Sequence, residues 1–238
     1  AATRKETLMI GIIGAMEEEN RILLENMAEK TEETHFHLVF TRGKIENQEV
    51  VLVQSGIGKV NSAIATAFII DRYRPDFVIN TGSAGGLNTA LHVGDVVVAD
   101  KVAYHDVDAT AFGYSVGQVP QMPHYYTADK KVVEKITRAA KKVGLHAVQG
   151  TIVSSDSFIA SESGTNRIKE HFPDAYATEM EGASIAQACY VLGTPFAIIR
   201  AISDGASDGA ALSFDEFIVE AGKKSAEMVI ELLKNNGA

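Results

Sequence analysis

Three groups of carboxylic acids stand where an apolar, strand-like segment gives way to polar residues: Glu17-Glu18-Glu19, Glu179-Met180-Glu181 and Ser203-Asp204. Acids at the mouth of a cleft can take or give protons during bond cleavage, so their setting decides what they are for. The first group follows a strand at what reads as a helix N-terminus, where the helix dipole alone would favour acids by about 0.3–1 kcal/mol each. In the second, alternating acids place one carboxylate on each side of a buried Met180. Asp204 follows the apolar run 196–200, whose carboxyl end should open onto a cleft, although an acid there could equally cap the next helix.

Other familiar chemistries do not fit. Ser55-Gly56-Ile57-Gly58-Lys59 lacks the glycine four residues before Gly58-Lys59, and Val60 stands where a phosphate loop needs the Ser or Thr that holds magnesium. The stretch Thr81-Gly82-Ser83-Ala84-Gly85-Gly86 lacks the glycine two after Gly82 that a dinucleotide fingerprint requires. Its glycines imply instead a backbone that approaches something closely, a ligand or another strand. His35 and His37 alternate along a strand and the other five His are scattered, so a metal site is not expected. The absence of Gly-x-Ser-x-Gly disfavours a serine hydrolase.

The elements that must position these acids alternate between strand-length apolar runs (8–13, 49–53, 76–80, 95–99, 147–153 and 196–200) and helix-period segments (59–73, 130–143, 181–192 and 214–234). In the first helix Val60, Ile64, Ala67 and Phe68 share a face. The last ends in Asn235-Asn236-Gly237, a helix stop. Residues 36–41 and 49–53 flank 43–47 as a hairpin, so the sheet is mixed. The expectation is a single α/β domain over 8–238 with a central mixed sheet flanked by helices, residues 1–7 being an extension or an artificial remnant. Polar, glycine-bearing stretches at 14–20, 81–88 and 203–212 follow strands directly and are expected to be the binding loops.

Composition narrows the partners. The 238 residues carry 22 Lys plus Arg against 31 Asp plus Glu, a formal charge of −9. That balance offers no electrostatic footprint for nucleic acid. No apolar stretch approaches the roughly 18 residues that span a bilayer, so no membrane partner is expected. A lone Cys189 precludes an intrachain disulfide and fits a reducing cytoplasm.

Taken together, Gly11-Ile12-Ile13-Gly14-Ala15-Met16-Glu17-Glu18-Glu19, Ser55-Gly56-Ile57-Gly58-Lys59-Val60, Asn80 to Gly86, Tyr104-His105-Asp106, Thr110-Ala111-Phe112-Gly113-Tyr114, Asp156-Ser157-Phe158-Ile159, Glu179-Met180-Glu181-Gly182-Ala183 and Arg200-Ala201-Ile202-Ser203-Asp204 closely resemble the bacterial 5′-methylthioadenosine/S-adenosylhomocysteine nucleosidases. The resemblance implies a nucleoside phosphorylase-like fold, no cofactor, a place in methionine salvage, and hydrolysis of the bond between adenine N9 and ribose C1′. Its substrates would be methylthioadenosine and adenosylhomocysteine, with 5′-deoxyadenosine a further candidate. By the same resemblance Asp204 is the general acid to purine N7, oriented by Ser203, and Glu19 activates water. Arg200 and Ser83 hold that water and the ribose, Glu181 binds the ribose hydroxyls, and Met180 packs on the sugar. Phe158 stacks on adenine, whose edge the Ile159 backbone reads. Met16, Ile57 and Phe214 line the alkylthio end, where Phe112 and Tyr114 of a second subunit reach in, making the protein a homodimer. The segment 104–126, long and poor in charge, also reads as packing on something. Many relatives have glycine in place of Ser155, so a strained Ser155 is expected.

Two rivals stay open on the sequence. A phosphorylase would need cationic groups to hold phosphate, which Arg21 or Lys59 could supply, and a purine-binding module would need no acid and base pair.

Overall fold

The computed structural model describes residues 8–234. The remnant expected at 1–7 and the helix stop at 235–237 lie outside the described residues. In chain order the elements are β1 (Met9–Gly14), α1 (Glu17–Glu25), β2 (Ala28–His35), β3 (Leu38–Ile45), β4 (Gln48–Gln54), α2 (Lys59–Tyr73), β5 (Phe77–Gly86) and β6 (Val96–Tyr104). They continue with a 3₁₀ turn (Thr110–Phe112), β7 (Tyr126–Thr127), α3 (Lys130–Lys142), β8 (Ala147–Ser154), α4 (Glu162–His171), β9 (Ala175–Glu179), α5 (Gly182–Leu192), β10 (Phe196–Asp204) and α6 (Ala210–Lys234).

The strands make one mixed sheet in the order β10-β6-β8-β9-β5-β1-β4-β3-β2, with β7 on β6 and an additional β10–β5 pairing. That extra pairing closes β5, β10, β6, β8 and β9 into a ring, while β1, β4, β3 and β2 extend from β5 as an open sheet. β5 is therefore shared. Its Ile79 pairs with Ile12 of β1 and Ala197 of β10, and its last residues, Gly85 and Gly86, meet Thr178 and Ala177 of β9. All six residues of β1 and all nine of β10 are buried, as a strand covered on both faces requires. Helices α1 and α3 pack on α6, and α2 packs on α5. A single α/β architecture with a mixed sheet flanked by helices is thus what forms.

Several expectations need correction. The stretch 81–86 is not a loop, since β5 runs through it to Gly86; likewise β10 runs to Asp204 and α6 begins at Ala210, four residues before the apolar periodicity does. Glu17, Glu18 and Glu19 do open a helix, α1, so of the stretch 14–20 only Ala15 and Met16 are loop. β2 escaped notice because AEKTEETH is a polar, exposed edge strand, the charged kind that resists pairing with other chains. His37 is not strand: β2 ends at His35, and Phe36, with φ 57°, sits in the turn to β3. The face of α2 expected to be core is only half so: Phe68 packs against the core beside Phe40, but over the first two turns that face points outward. Val60 is 69% exposed and Ile64 39%, while Ser62, Ala65, Thr66 and Ile69 are buried. Small residues win that face because α2 lies close to α5, where Ser62 Oγ and Ser184 Oγ are 2.6 Å apart.

The placement of α1 depends on Gly222, midway along α6. A Cβ there would stand 2.5 Å from the Glu18 carbonyl oxygen and 3.2 Å from Glu19 Cα. Gly222→Val should therefore push α1 away and destabilise the fold by about 1–3 kcal/mol, an overpacking cost. Thermal denaturation will show it as a lowered melting temperature, while Val219→Ala on the exposed side of α6 should leave that temperature nearly unchanged.

Candidate active site

The loops that follow β1, β4, β8 and β9, together with the first turn of α1, the ends of β5, β9 and β10 and the first turns of α6, surround a cavity of about 390 Å³. Its wall contains Met16, Glu19, Ile57, Ser83, Phe158, Ile159, Met180, Glu181, Arg200, Ser203, Asp204 and Phe214, every residue the sequence pointed to within one subunit. Phe112 and Tyr114 are not in the wall. Phe112 is 84% exposed.

Glu19 lies in the first turn of α1, and its carboxylate is held at both oxygens. Oε1 accepts from the Met16 N–H at 3.0 Å, and Oε2 accepts from the Ser83 N–H at 2.7 Å and from Ser83 Oγ at 3.3 Å. Burial pushes its pKa up, against the opposing pull of Arg200 and of these donors. Asp204 closes β10. Ser203 Oγ donates to its Oδ1 at 2.8 Å and the Ala206 N–H to its Oδ2 at 2.9 Å, so it caps a tight turn five residues short of α6 and not the helix itself. Burial raises its pKa as well, and the two donors only partly offset that.

The glycines of β5 explain themselves here. A Cβ on Gly82 would lie 2.2 Å from Glu19 Oε2, and one on Gly85 would lie 2.9 Å from Asp204 Oδ2. The close approach read from the sequence is therefore to these two carboxyl groups.

Glu179 and Glu181 are not set on either side of a buried thioether. Met180 is half-buried in the cavity wall, and both acids turn to Arg200, itself 1% exposed. Arg200 Nη2 lies 2.5 Å from Glu179 Oε2 and 3.4 Å from Glu181 Oε1. Nη2 also donates to Asn80 Oδ1 at 2.6 Å, Nε to the same oxygen at 3.2 Å, and Nη1 to the Ser83 carbonyl at 2.8 Å. Burial alone would lower the Arg200 pKa, but Glu179, Glu181 and Glu19 hold it up. The Gly58 N–H donates to Glu181 Oε2 at 3.0 Å. Even so, burial foremost, with Glu179 and Glu19 nearby, pushes Glu181 up to about 7.

Sequence reasoning singled out Glu179 and Asn80 without finding that they hold Arg200, and missed Ser154. Glu179 accepts from Ser154 Oγ and from the Gly182 N–H at 2.8 and 2.9 Å, so it fixes the start of α5 as well as Arg200. Alternation in Glu179-Met180-Glu181 was the visible signal, but the partners lie far off in the chain. Ser155 is not strained: its φ is not positive, and its hydroxyl bridges the Ser157 N–H (3.0 Å) and carbonyl (3.1 Å). Among the described residues no group of three or more His, Cys, Asp or Glu could hold a metal ion.

This fold with buried acids around one apolar cavity defines a class. The model of the Phosphorylase superfamily matches residues 9–234. A 5′-methylthioadenosine/S-adenosylhomocysteine nucleosidase of Staphylococcus carnosus is 51% identical over 227 residues, 95% of this chain and 100% of that one. The crystal structure of the corresponding nucleosidase from Neisseria meningitidis, in complex with methylthio-immucillin-A, superposes with a TM-score of 0.94 at 48% identity, covering 95% of this chain and 98% of the other. Futalosine hydrolase of Helicobacter pylori superposes at 0.91 with 32% identity, covering 97% and 99%. The chain belongs to the 5′-methylthioadenosine/S-adenosylhomocysteine nucleosidase family of the phosphorylase superfamily.

The raised pKa of Glu181 has a thermodynamic signature. A carboxyl that binds its proton more tightly folded than unfolded stabilises the fold below the unfolded value, and that contribution is lost as pH rises through the folded one. For Glu181 the window runs from the ordinary glutamate value of 4.5 to about 7. Glu181→Gln has no such loss, so its melting temperature relative to wild type should rise between about pH 5 and about pH 8, a change of order 2–3 kcal/mol. Calorimetry of the ligand-free proteins at the two pH values measures it; a difference that stays constant or falls would contradict the assignment.

Proposed function

We propose that this chain hydrolyses the N-glycosidic bond of 5′-methylthioadenosine and S-adenosylhomocysteine, releasing adenine and the thioribose. The observation that carries the reading is that Glu19 and Asp204, two buried carboxyl groups with separate sets of donors, line one nucleoside-sized cavity beside Phe158 and Glu181. The relatives named for this activity support it.

Asp204 is the general acid and Glu19 the general base. As the C1′–N9 bond breaks, the Asp204 proton passes to purine N7, so adenine departs neutral and C1′ becomes cationic. Water adds to C1′ and gives its proton to Glu19. The raised pKa of Asp204 suits a group that must hold a proton, and that of Glu19 makes it a stronger base than an ordinary glutamate. Glu181 receives the ribose hydroxyls, and its negative form opposes the ring cation. Ser83 and Arg200 fix the water side, and Met180 packs on the sugar. Phe158, in edge contact with Phe214 at 5.6 Å, offers a face to adenine whose edge the Ile159 backbone reads. Met16, Ile57 and Phe214 take the alkylthio group.

Phosphate has no place in this site. Arg200 is the only Lys or Arg in the wall, and its donors are already committed to Asn80, Ser83, Glu179 and Glu181. Arg21 pairs with Glu17 and Lys59 with Asp106, and neither lines the cavity. A dianion beside C1′ would meet carboxylates poorly screened by solvent.

The protein acts as a homodimer in the cytoplasm. Val60 and Ile64 on α2, with Tyr190, Val191 and Leu192 on α5, leave large apolar side chains uncovered on two helices that pack together, which suits a second copy of the chain. The partner's Phe112 and the partner's Tyr114 then complete the alkylthio end. The single buried thiol of Cys189 suits a reducing compartment. No described helix is long and apolar enough to cross a membrane.

Incubation with methylthioadenosine in phosphate-free buffer should yield adenine and free 5-methylthioribose at a rate unchanged by added phosphate; ribosyl 1-phosphate appearing with phosphate would promote a phosphorylase instead. Asp204→Asn should lose about 10²- to 10⁴-fold in turnover while its affinity for an adenosine analogue stays within a few-fold of wild type. Sedimentation of the active protein at micromolar concentration should give a dimer. A fully active species of 25.5 kDa would refute that assembly.

A further inference from the structure

Three motifs singled out in the sequence meet outside the cavity in a closed ring that takes no part in the proton transfers. The Lys59 N–H, at the first residue of α2, donates to Asp156 Oδ1 at 2.7 Å. The Asp156 N–H donates to Asp106 Oδ2 at 3.3 Å, and Asp106 Oδ1 accepts from Lys59 Nζ at 2.7 Å. Lys59 Nζ also stands 4.8 Å from the ring centroid of Tyr104, a buried residue whose hydroxyl donates to Gln187 Oε1 on α5 at 2.6 Å. The ring thus ties together the loop after β4, the loop after β6 and the loop after β8, and anchors all three to the core.

Two of the three loops, those after β4 and β8, are fastened one or two residues from the cavity. Ile57 and Gly58 precede Lys59: Ile57 is in the wall, and the Gly58 N–H holds Glu181. Phe158 and Ile159 follow Asp156, and both are in the wall. Ile57 and Phe158 are 49% and 43% exposed, which places them at the rim.

We propose that Lys59, Asp106 and Asp156 are positioning residues that hold the loop carrying Phe158 and Ile159 in place against the start of α2 and so set the affinity for the purine, without acting on the bond-breaking step; this rests on the nucleosidase reading above. Each link is partly open to solvent and individually weak. Closure of the ring makes them act as one unit, so breaking any link should release most of the effect.

The test compares the KM and kcat for methylthioadenosine with the dissociation constant for adenine by calorimetry, in variants whose melting temperatures are measured alongside. Asp156→Ala should raise both KM and the adenine dissociation constant by about fivefold or more, with kcat within about threefold of wild type. Lys59→Met should give most of the same loss, and the double variant should be no worse than Asp156→Ala alone, because the ring is already open. Asp156→Asn keeps an acceptor for the Lys59 N–H and should restore most of the affinity. If Asp156→Ala does not fold, Lys59→Met carries the test by itself. Unchanged adenine affinity in both single variants, a loss confined to kcat, or effects that multiply in the double variant would overturn the assignment. A wild-type protein that neither binds adenine nor cleaves the nucleoside would overturn the site reading itself, and is told apart by that control.

Discussion

A guanidinium at 1% exposure is the constraint around which the site is built. An unpaired charge in that position would cost several kcal/mol, so every donor of Arg200 must find an acceptor. The acceptors come from four places in the chain: Asn80 and the Ser83 carbonyl on β5, Glu179 at the end of β9, and Glu181 just before α5. Satisfying one cation therefore pins two strands and the start of a helix. The same Ser83 that offers Arg200 its carbonyl offers Glu19 its N–H, so the two sides of the cavity share a residue. Glu19 and Glu181 end up near a positive charge without a short ion pair to it, and burial is then free to raise their pKa values. The need to pair a buried cation and the upward shift of two carboxyl groups thus arise in one cluster.

The architecture was legible where apolar runs matched element period. β1, β4, β8 and α2 lie within a residue or two of where the sequence put them, because strands buried on both faces and a 15-residue helix leave unmistakable patterns. What was missed is polar. β2 is an exposed edge strand, α4 reads ESGTNRIKEH, and β9 has five residues, so none shows an apolar rhythm to detect. The departure on α2 has a different origin: apolar periodicity finds Phe68, which does pack on the core, but it also favours Val60 and Ile64, whereas close packing on α5 reserves that side for Ser62, Ala65 and Thr66.

For the site, the residues came from the resemblance and the reasons came from the structure. The sequence alone left Asp204 divided between a cleft acid and a helix cap, and Glu19 looked like one of three dipole-favoured acids. Burial separates them, since Glu19 is 2% exposed while Glu17 is on the surface with Arg21. Glycines 82 and 85 were read as marking close approach, but only the fold reveals that the approaching groups are the Glu19 and Asp204 carboxyl groups. Glu179 remained invisible as an anchor because its partners, Ser154 and Arg200, are 25 and 21 positions away along the chain.

The ring of strands has a consequence for how the polypeptide emerges from the ribosome. Synthesis runs from the N-terminus, and the open part of the sheet, β1 to β5, can assemble once about the first ninety residues are out. β5 then waits with one edge unpaired until β10 arrives more than a hundred residues later, a long-range parallel pairing of the slow kind. Arg200 arrives on that last strand. Until it does, Glu181 has no cation to face, and Glu19 faces a cleft with no far wall. A nascent or prematurely terminated chain can thus acquire much of its sheet without acquiring a nucleoside pocket, and the waiting edge of β5 is the surface a chaperone would need to cover.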